Sequence, residues 1–200
     1  MGWAKPSLLF ESSGSSLLLA VDHNGKLHSA WYEQGSLFYS KLEGTVWSPP
    51  VSIYTIPTGM RVSELTLAFD SHGRVHVAWV EVKEPTSWSS VVETSVHHSV
   101  GEAGIWSSAV EISTEGCGFP AIAVDSLDRV HLVWQEGYYT QWDGTKWSTP
   151  SKIIEGTMPV IPAIAVDSKD NIHVLWSIGT GDPQKKETKE DLFHMIGTIK

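Results

Sequence analysis

Several things are scarce in this chain of 200 residues, and each scarcity excludes something. There is a single cysteine, Cys117, so no disulfide can form within the chain, and one thiol does not identify a redox compartment. Basic residues are few: 14 Lys and Arg stand against 23 Asp and Glu, for a formal charge of −9. A surface of that sign repels phosphate backbones, and no basic stripe overrides it, so a nucleic-acid partner is not expected. Arginine is rarer still, confined to Arg61, Arg74 and Arg129. No apolar run is long enough to span a bilayer, and the first residues lack a basic segment followed by an apolar core and a cleavage site, so neither a membrane span nor an export signal is expected. Serine-hydrolase elbow, phosphate-binding loop and metalloprotease helix motifs are missing as well. With 41% hydrophobic and 18% charged residues, the chain can still bury a substantial core.

What is present is repetition. A small apolar strand ending in Asp, a tight turn, a hydrophobic residue, His, two more residues and Trp returns four times: LAVDHNGKLHSAW, LAFDSHGRVHVAW, IAVDSLDRVHLVW and IAVDSKDNIHVLW. The columns are Asp22, His28, Trp31; Asp70, His76, Trp79; Asp125, His131, Trp134; and Asp167, His173, Trp176. Intervals of about 42 to 55 residues suit one four-stranded blade of a β-propeller per repeat. The first strand of each blade is almost wholly apolar, as expected of an inner strand covered on both faces. The Asp turns carry Gly25, Gly73, Asp128 and Asp170, residue types that close hairpins with positive φ. A third strand carries the pairs Phe38 and Tyr39, His97 and His98, Tyr138 and Tyr139, Phe193 and His194, and a fourth begins at Trp47, Trp106 and Trp147 with a Trp-Ser phrase.

The expected architecture is therefore all-β: one propeller domain over residues 1–200, with blades at about 17–53, 65–112, 121–154 and 163–200. The segment 3–10, WAKPSLLF, matches the fourth-strand phrase and is expected to complete the last blade, in a four-bladed ring, in an eight-bladed ring as a homodimer, or as part of a longer propeller. The repeated motif with its Trp-Ser-x-Pro strand resembles the bacterial sialidase-like propellers with Asp-box-type repeats, and more distantly the propeller lectins. That resemblance implies a secreted or cell-surface protein. In the family's Asp-box, Gly and an aromatic follow closer behind the Asp, whereas here a His precedes the Trp.

The repeated Asp, His and Trp residues are read as structural, since buried polar groups must be hydrogen-bonded. Zinc is not expected, because symmetry-related histidines on different blades would have to converge on one ion, and calcium is not expected, because the Asp turns lack an EF-hand ladder of oxygens. No cofactor is implied. His97 and His98 point to opposite faces of their strand. Eight tryptophans fall in the repeat columns; Trp88 and Trp142 do not, Trp142 being expected beside its turn on the side away from any ligand and Trp88 on an insertion bordering the opposite face. Two residues beyond the repeat Trp stand Glu33, Glu81 and Glu136, replaced by Ile178 in the fourth repeat; alternation places each acid on the side of its Trp, a corner that suits a sugar. Insertions alternate too, long after the second and fourth repeat tryptophans and short after the first and third, which points to a duplicated two-blade unit.

The ligand candidates are therefore Trp88, Glu33, Glu81, Glu136 and Arg61. A sialidase-like site would need three arginines, a Tyr nucleophile supported by Glu and an acid/base Asp, and Arg74 and Arg129 lie at the opposite, turn end of their blades, so that triad cannot be assembled in one ring. The leading expectation is a non-catalytic, carbohydrate-binding, lectin-like propeller with no catalytic residue; the alternatives are a protein-binding scaffold and a glycoside hydrolase of the sialidase-like superfamily.

Overall fold

The computed structural model describes residues 15–83, 93–155, 161–179 and 190–198. They form four antiparallel sheets and almost no helix. Sheet 1 holds β1 (Ser15–Val21), β2 (Leu27–Glu33), β3 (Ser36–Glu43), β4 (Val46–Trp47) and β5 (Val51–Thr55). Sheet 2 holds β6 (Met60–Phe69), β7 (Val75–Lys83), β8 (Thr94–Glu102), β9 (Ile105–Trp106) and β10 (Val110–Ser113). Sheet 3 holds β11 (Ala121–Val124), β12 (Val130–Trp134), β13 (Tyr138–Trp142) and β14 (Ser151–Lys152), and sheet 4 holds β15 (Ala163–Val166), β16 (Asn171–Gly179) and β17 (Glu190–Thr198). Within each sheet the strands follow one another as a meander. Sheet 4 has three strands among the described residues; the segment 3–10 expected to complete it lies outside them.

The Asp turns form as their chemistry dictates. Asp22 Oδ1 accepts the backbone N–H groups of Asn24 and Lys26 at 2.9 and 2.8 Å, and the same pair of bonds recurs at Asp70, Asp125 and Asp167. The left-handed position is taken by Gly25 (φ 76°), Gly73 (φ 80°), Asp128 (φ 60°) and Asp170 (φ 60°).

The Trp-Ser phrase proves to be a device rather than the start of one strand. β4 and β9 are two-residue stubs, and the chain then breaks before β5 and β10. At the break, Ser48, Ser107 and Ser148 each accept a backbone N–H through the hydroxyl, from Lys41, Val100 and Gln141 respectively. Their carbonyls accept the hydroxyls of the buried Ser40, Ser99 and Thr140. Ladder groups that the break would orphan are thus satisfied by side chains.

Three apolar clusters fill the spaces between successive sheets: Ala30, Leu67, Phe69 and Trp79 between sheets 1 and 2; Ala78, Ile122, Leu132 and Trp134 between sheets 2 and 3; Val133, Ile172, Val174 and Trp176 between sheets 3 and 4. β1 lies against β6, β6 against β11, and β11 against β15. Turns are also tied from sheet to sheet. Ser71 donates through N–H and hydroxyl to Asp128 at 2.7 and 2.8 Å, Ser126 does the same to Asp170 at 2.9 and 2.6 Å, and between sheets 1 and 2 His23 Nε2 donates to the Asp70 carbonyl at 3.0 Å.

One expectation fails at the two ends of this series. β1 is not covered on both faces: Leu17, Leu19 and Val21 are 76%, 59% and 57% exposed, although their counterparts Leu67 and Phe69 in sheet 2 are buried. Ala163 and Ala165 of β15 are likewise exposed. Each first strand is buried on both faces only where a sheet stands on either side of it.

Candidate functional site

Every sheet has two chemically distinct ends. At the turn end, the repeated Asp and His form a relay with a residue of the third strand. In sheet 3, Asp125 Oδ2 receives His131 Nε2 at 3.1 Å, and His131 Nδ1 meets the Tyr139 hydroxyl at 2.9 Å. A carboxylate accepts only, so Nε2 carries the proton, Nδ1 is a bare acceptor, and the tyrosine hydroxyl donates. In sheet 1 the Tyr39 hydroxyl meets His28 Nδ1 in the same way, whereas His28 Nε2 lies 3.3 Å from Asp22 Oδ2 without forming a hydrogen bond among the described residues. In sheet 2 the donor to His76 Nδ1 is His98 Nε2 at 3.2 Å, and in sheet 4 the donor to His173 Nδ1 is His194 Nε2 at 2.9 Å. Arg74 and Arg129 add their Nε–H to Asp70 and Asp125.

The electrostatics follow from burial. Burial pushes the imidazoles of His28, His76 and His131 below the ordinary value despite their carboxylate partners, and takes His98 down to about 3. Burial also pushes Tyr39 and Tyr139 up to about 12. Asp125 is disfavoured as an anion by burial, but the Arg129 N–H, His131 and the Arg129 guanidinium outweigh it and hold the carboxyl below the usual range. The four repeat histidines are therefore each committed within their own sheet. Asp70, His72 and Asp128 are the one group at metal-ligating separations among the described residues, and they already serve Ser71, Arg74 and His76.

Trp142 lies at this turn end. It packs between sheets 2 and 3, 5.3 Å from the His76 ring and 6.3 Å from that of His98, with the Arg74 guanidinium 5.6 Å over it. It belongs with the interlocking tryptophans, as does Trp147 against His98 at 4.9 Å. A cavity of about 440 Å³ opens at this same end between sheets 1 and 2, lined by Asp22, His28, Lys41, Pro50 and Trp106.

At the opposite end stand the acids. Glu81 lies near the end of β7, is 3% exposed, and accepts the Trp79 indole N–H at 3.2 Å. The His97 imidazole stacks on Trp79 at 5.6 Å, with Nε2 at 3.8 Å from Glu81 Oε1 and 2.7 Å from the Ser95 hydroxyl. Burial first, against the pull of Glu81, lowers His97 below the ordinary imidazole value. Sheet 1 repeats the corner, with the Trp31 N–H on Glu33 Oε2 at 3.3 Å. Arg61, at the start of β6 beside Val82, also lies at this end and is exposed. Trp88 lies outside the described residues.

Glu136 breaks the pattern. Gln135–Gly137 is a single 3-10 turn in which Glu136 has φ 62°, so the alternation that would hold it beside Trp134 ends one residue too soon. It lies 3.9 Å from Lys152 instead, and the Trp134 N–H goes to the Glu115 carbonyl at 2.9 Å. Glu115 escaped the sequence reading because it sits on the connection between sheets rather than in a repeat column. Its carboxylate also accepts the Tyr138 hydroxyl at 3.1 Å, and that bond pushes the Tyr138 phenol above its ordinary value. In sheet 4, where Ile178 replaces the acid, the buried Trp176 N–H has no partner among the described residues.

No family model matches the chain, and no curated protein matches its sequence. Solved structures do match its fold. The α-L-arabinofuranosidase Arb93A of Fusarium graminearum, in complex with an iminosugar inhibitor, superposes with a TM-score of 0.62 at 12% identity, over 90% of this chain and 56% of that one. The NanB sialidase of Streptococcus pneumoniae gives 0.59 at 10% identity, over 94% and 54%. The xylan β-1,4-xylosidase of Bacillus halodurans gives 0.59 at 13% identity, over 94% and 40%. The chain thus spans about half the length of these proteins. The non-catalytic, lectin-like expectation is corrected by this comparison, since the solved structures that resemble the chain are mainly glycoside hydrolases. At these identities the likeness is one of architecture, and the chain has an all-β fold of the sialidase-like propeller kind.

Proposed function

We propose that this chain supplies four blades, one per sheet, of a glycoside hydrolase-like propeller acting on a neutral glycoside at the end where Glu33 and Glu81 lie. The observation that carries the reading is Glu81, a buried carboxylate held by one indole N–H and flanked by an imidazole that burial keeps neutral. A buried carboxylate beside an imidazole is placed for proton transfer, and Glu33 in the adjacent blade offers a second carboxylate, as glycoside hydrolysis requires. The solved arabinofuranosidase and xylosidase structures support this class.

Sialic acid is the disfavoured substrate. Arg74 and Arg129 are engaged by Asp70 and Asp125 at the turn end, which leaves Arg61 alone at the acid end to meet a substrate carboxylate.

The test is turnover of aryl α-L-arabinofuranoside, β-xyloside and sialoside by the native chain and by its Glu81→Gln variant. Turnover of a pentoside, with kcat lowered about 100-fold or more by Glu81→Gln, supports the reading. No turnover of any of the three, or turnover indifferent to Glu81, overturns it.

A further inference from the structure

The joint between neighbouring sheets is repeated three times inside the molecule, and among the described residues its two halves are both left open at the ends of the series. One half is the face each sheet turns toward the next. It carries a residue two beyond the repeat His, and this is Ala30, Ala78 and Val133 in the first three sheets, all fully buried, but Leu175 in sheet 4, 38% exposed. On the third strand the same face carries Leu37 and Val96, fully buried, but Leu192 in sheet 4, 72% exposed. The relay tells the same story. His76 and His131 are sealed under the following sheet, whereas the His173 side chain is 26% exposed and His194 is exposed.

The other half is the face each sheet turns toward the one before it. Phe69 uses it to meet the His28 ring, tilted, at 4.6 Å, and Trp106 uses it to meet Tyr39 at 5.3 Å. In sheet 1 the corresponding residues are Val21, 57% exposed, and the half-buried Trp47, with Leu19 beside them at 59%.

We infer that a second copy of this chain docks head to tail, the Leu19, Val21 and Trp47 face of one copy covering the His173, Leu175, His194 and Leu192 face of the other. The pairing continues the joint already built three times within the chain: Val21 takes the place of Phe69 over a relay histidine, and Trp47 that of Trp106 or Trp147 over the third-strand ring. Because each copy owns both halves, two copies make two identical joints, related by a twofold axis, and eight sheets close into one ring. This assembly is independent of the chemistry proposed for Glu81.

Light scattering on the full chain tests it. The expected mass is that of two 22.0 kDa chains, about 44 kDa, and each of Leu19→Lys and Leu175→Asp, made singly, is expected to return the mass to that of one chain. Mixing those two variants is the decisive step. One joint then pairs Lys with Asp and the other joins two unaltered faces, so the mixture regains the mass of two chains, a result that a self-complementary patch cannot give. Leu19 and Leu175 are exposed, and circular dichroism verifies that both variants fold; Leu127→Asp, at a turn away from both faces and 68% exposed, is the control expected to leave the mass unchanged. A native chain of 22.0 kDa across the concentration range, or single variants that keep the double mass, overturns the inference.

Discussion

Removing the Asp125 carboxylate should separate two contributions that the relay combines. Oδ1 holds the turn through the N–H groups of Leu127 and Arg129, both at 2.9 Å, and Oδ2 receives Arg129 Nε at 2.6 Å and His131 Nε2 at 3.1 Å. Neither the Asp125 nor the His131 side chain is exposed. Asp125→Ala therefore leaves a buried imidazole N–H and two turn N–H groups without an acceptor, and a loss of about 3–5 kcal/mol is expected. Asp125→Asn is milder. Its oxygen keeps the turn bonds, and its NH₂ faces a histidine able to exchange tautomers, with Nε2 accepting and Nδ1–H donating to a Tyr139 hydroxyl turned the other way. Only the Arg129 bond is then lost outright, for about 1.5–3 kcal/mol. In thermal unfolding followed by circular dichroism, about 2–4 °C per kcal/mol separates the two variants by several degrees. Adding Tyr139→Phe to Asp125→Asn removes the acceptor that makes the exchange possible, so the double variant should lose more than the sum of the single changes. Equal destabilisation by Asn and Ala, or strict additivity with Tyr139→Phe, would refute the assigned proton positions.

Acid should weaken the fold before its carboxylates titrate. His28, His76, His97, His98 and His131 all bind protons less readily here than at the ordinary value near 6.5, so the unfolded chain takes up protons first as pH falls, and each such histidine removes about 1.4 kcal/mol per pH unit between 6.5 and its folded value. The urea midpoint should be level above about pH 7.5 and drop steeply from pH 6.5 to 5; a midpoint constant over that window contradicts the buried, neutral assignment. Gly137→Ala should cost about 3 kcal/mol, since Gly137 has φ 77° and an added Cβ would lie 2.3 Å from Ile154 Cβ, whereas Gly118→Ala, whose Cβ would meet the movable end of Gln135, should cost under about 1 kcal/mol in the same urea assay.

Much of this architecture is legible because it is periodic. Apolar alternation around His76, His131 and their counterparts gives the strands, and Asp followed by Gly or a second Asp gives the turns, as the positive φ of Gly25, Gly73, Asp128 and Asp170 bears out. Failures cluster where periodicity stops. Alternation places Glu136 on the Trp134 side, and the 3-10 turn ending at Gly137 turns it away. The serines at 48, 107 and 148 look like ordinary surface residues until the strand break beside them is seen to need a hydroxyl. Glu115 acts through a connection that no repeat marks. The exposed faces of sheets 1 and 4 could not be read from the repeats at all, because a repeat lists the residues of a joint without saying whether a neighbour stands against it.

The serial arrangement of the sheets also governs how the molecule carries load. Among the described residues, sheets 2 and 3 are clamped from both sides, with Ser71 and Ser126 cross-tying their turns to the next sheet, while sheets 1 and 4 are each packed mainly on one flank. A force drawn through the two ends of such a series falls on one joint after another, so the polypeptide peels sheet by sheet from its extremities and the central pair yields last. Amide exchange should grade the same way, slowest in β7 and β12 and fastest in β1 and β17. A second copy at the open flanks would abolish the extremities, and the material would change from a strip that frays into a hoop that has nowhere to begin.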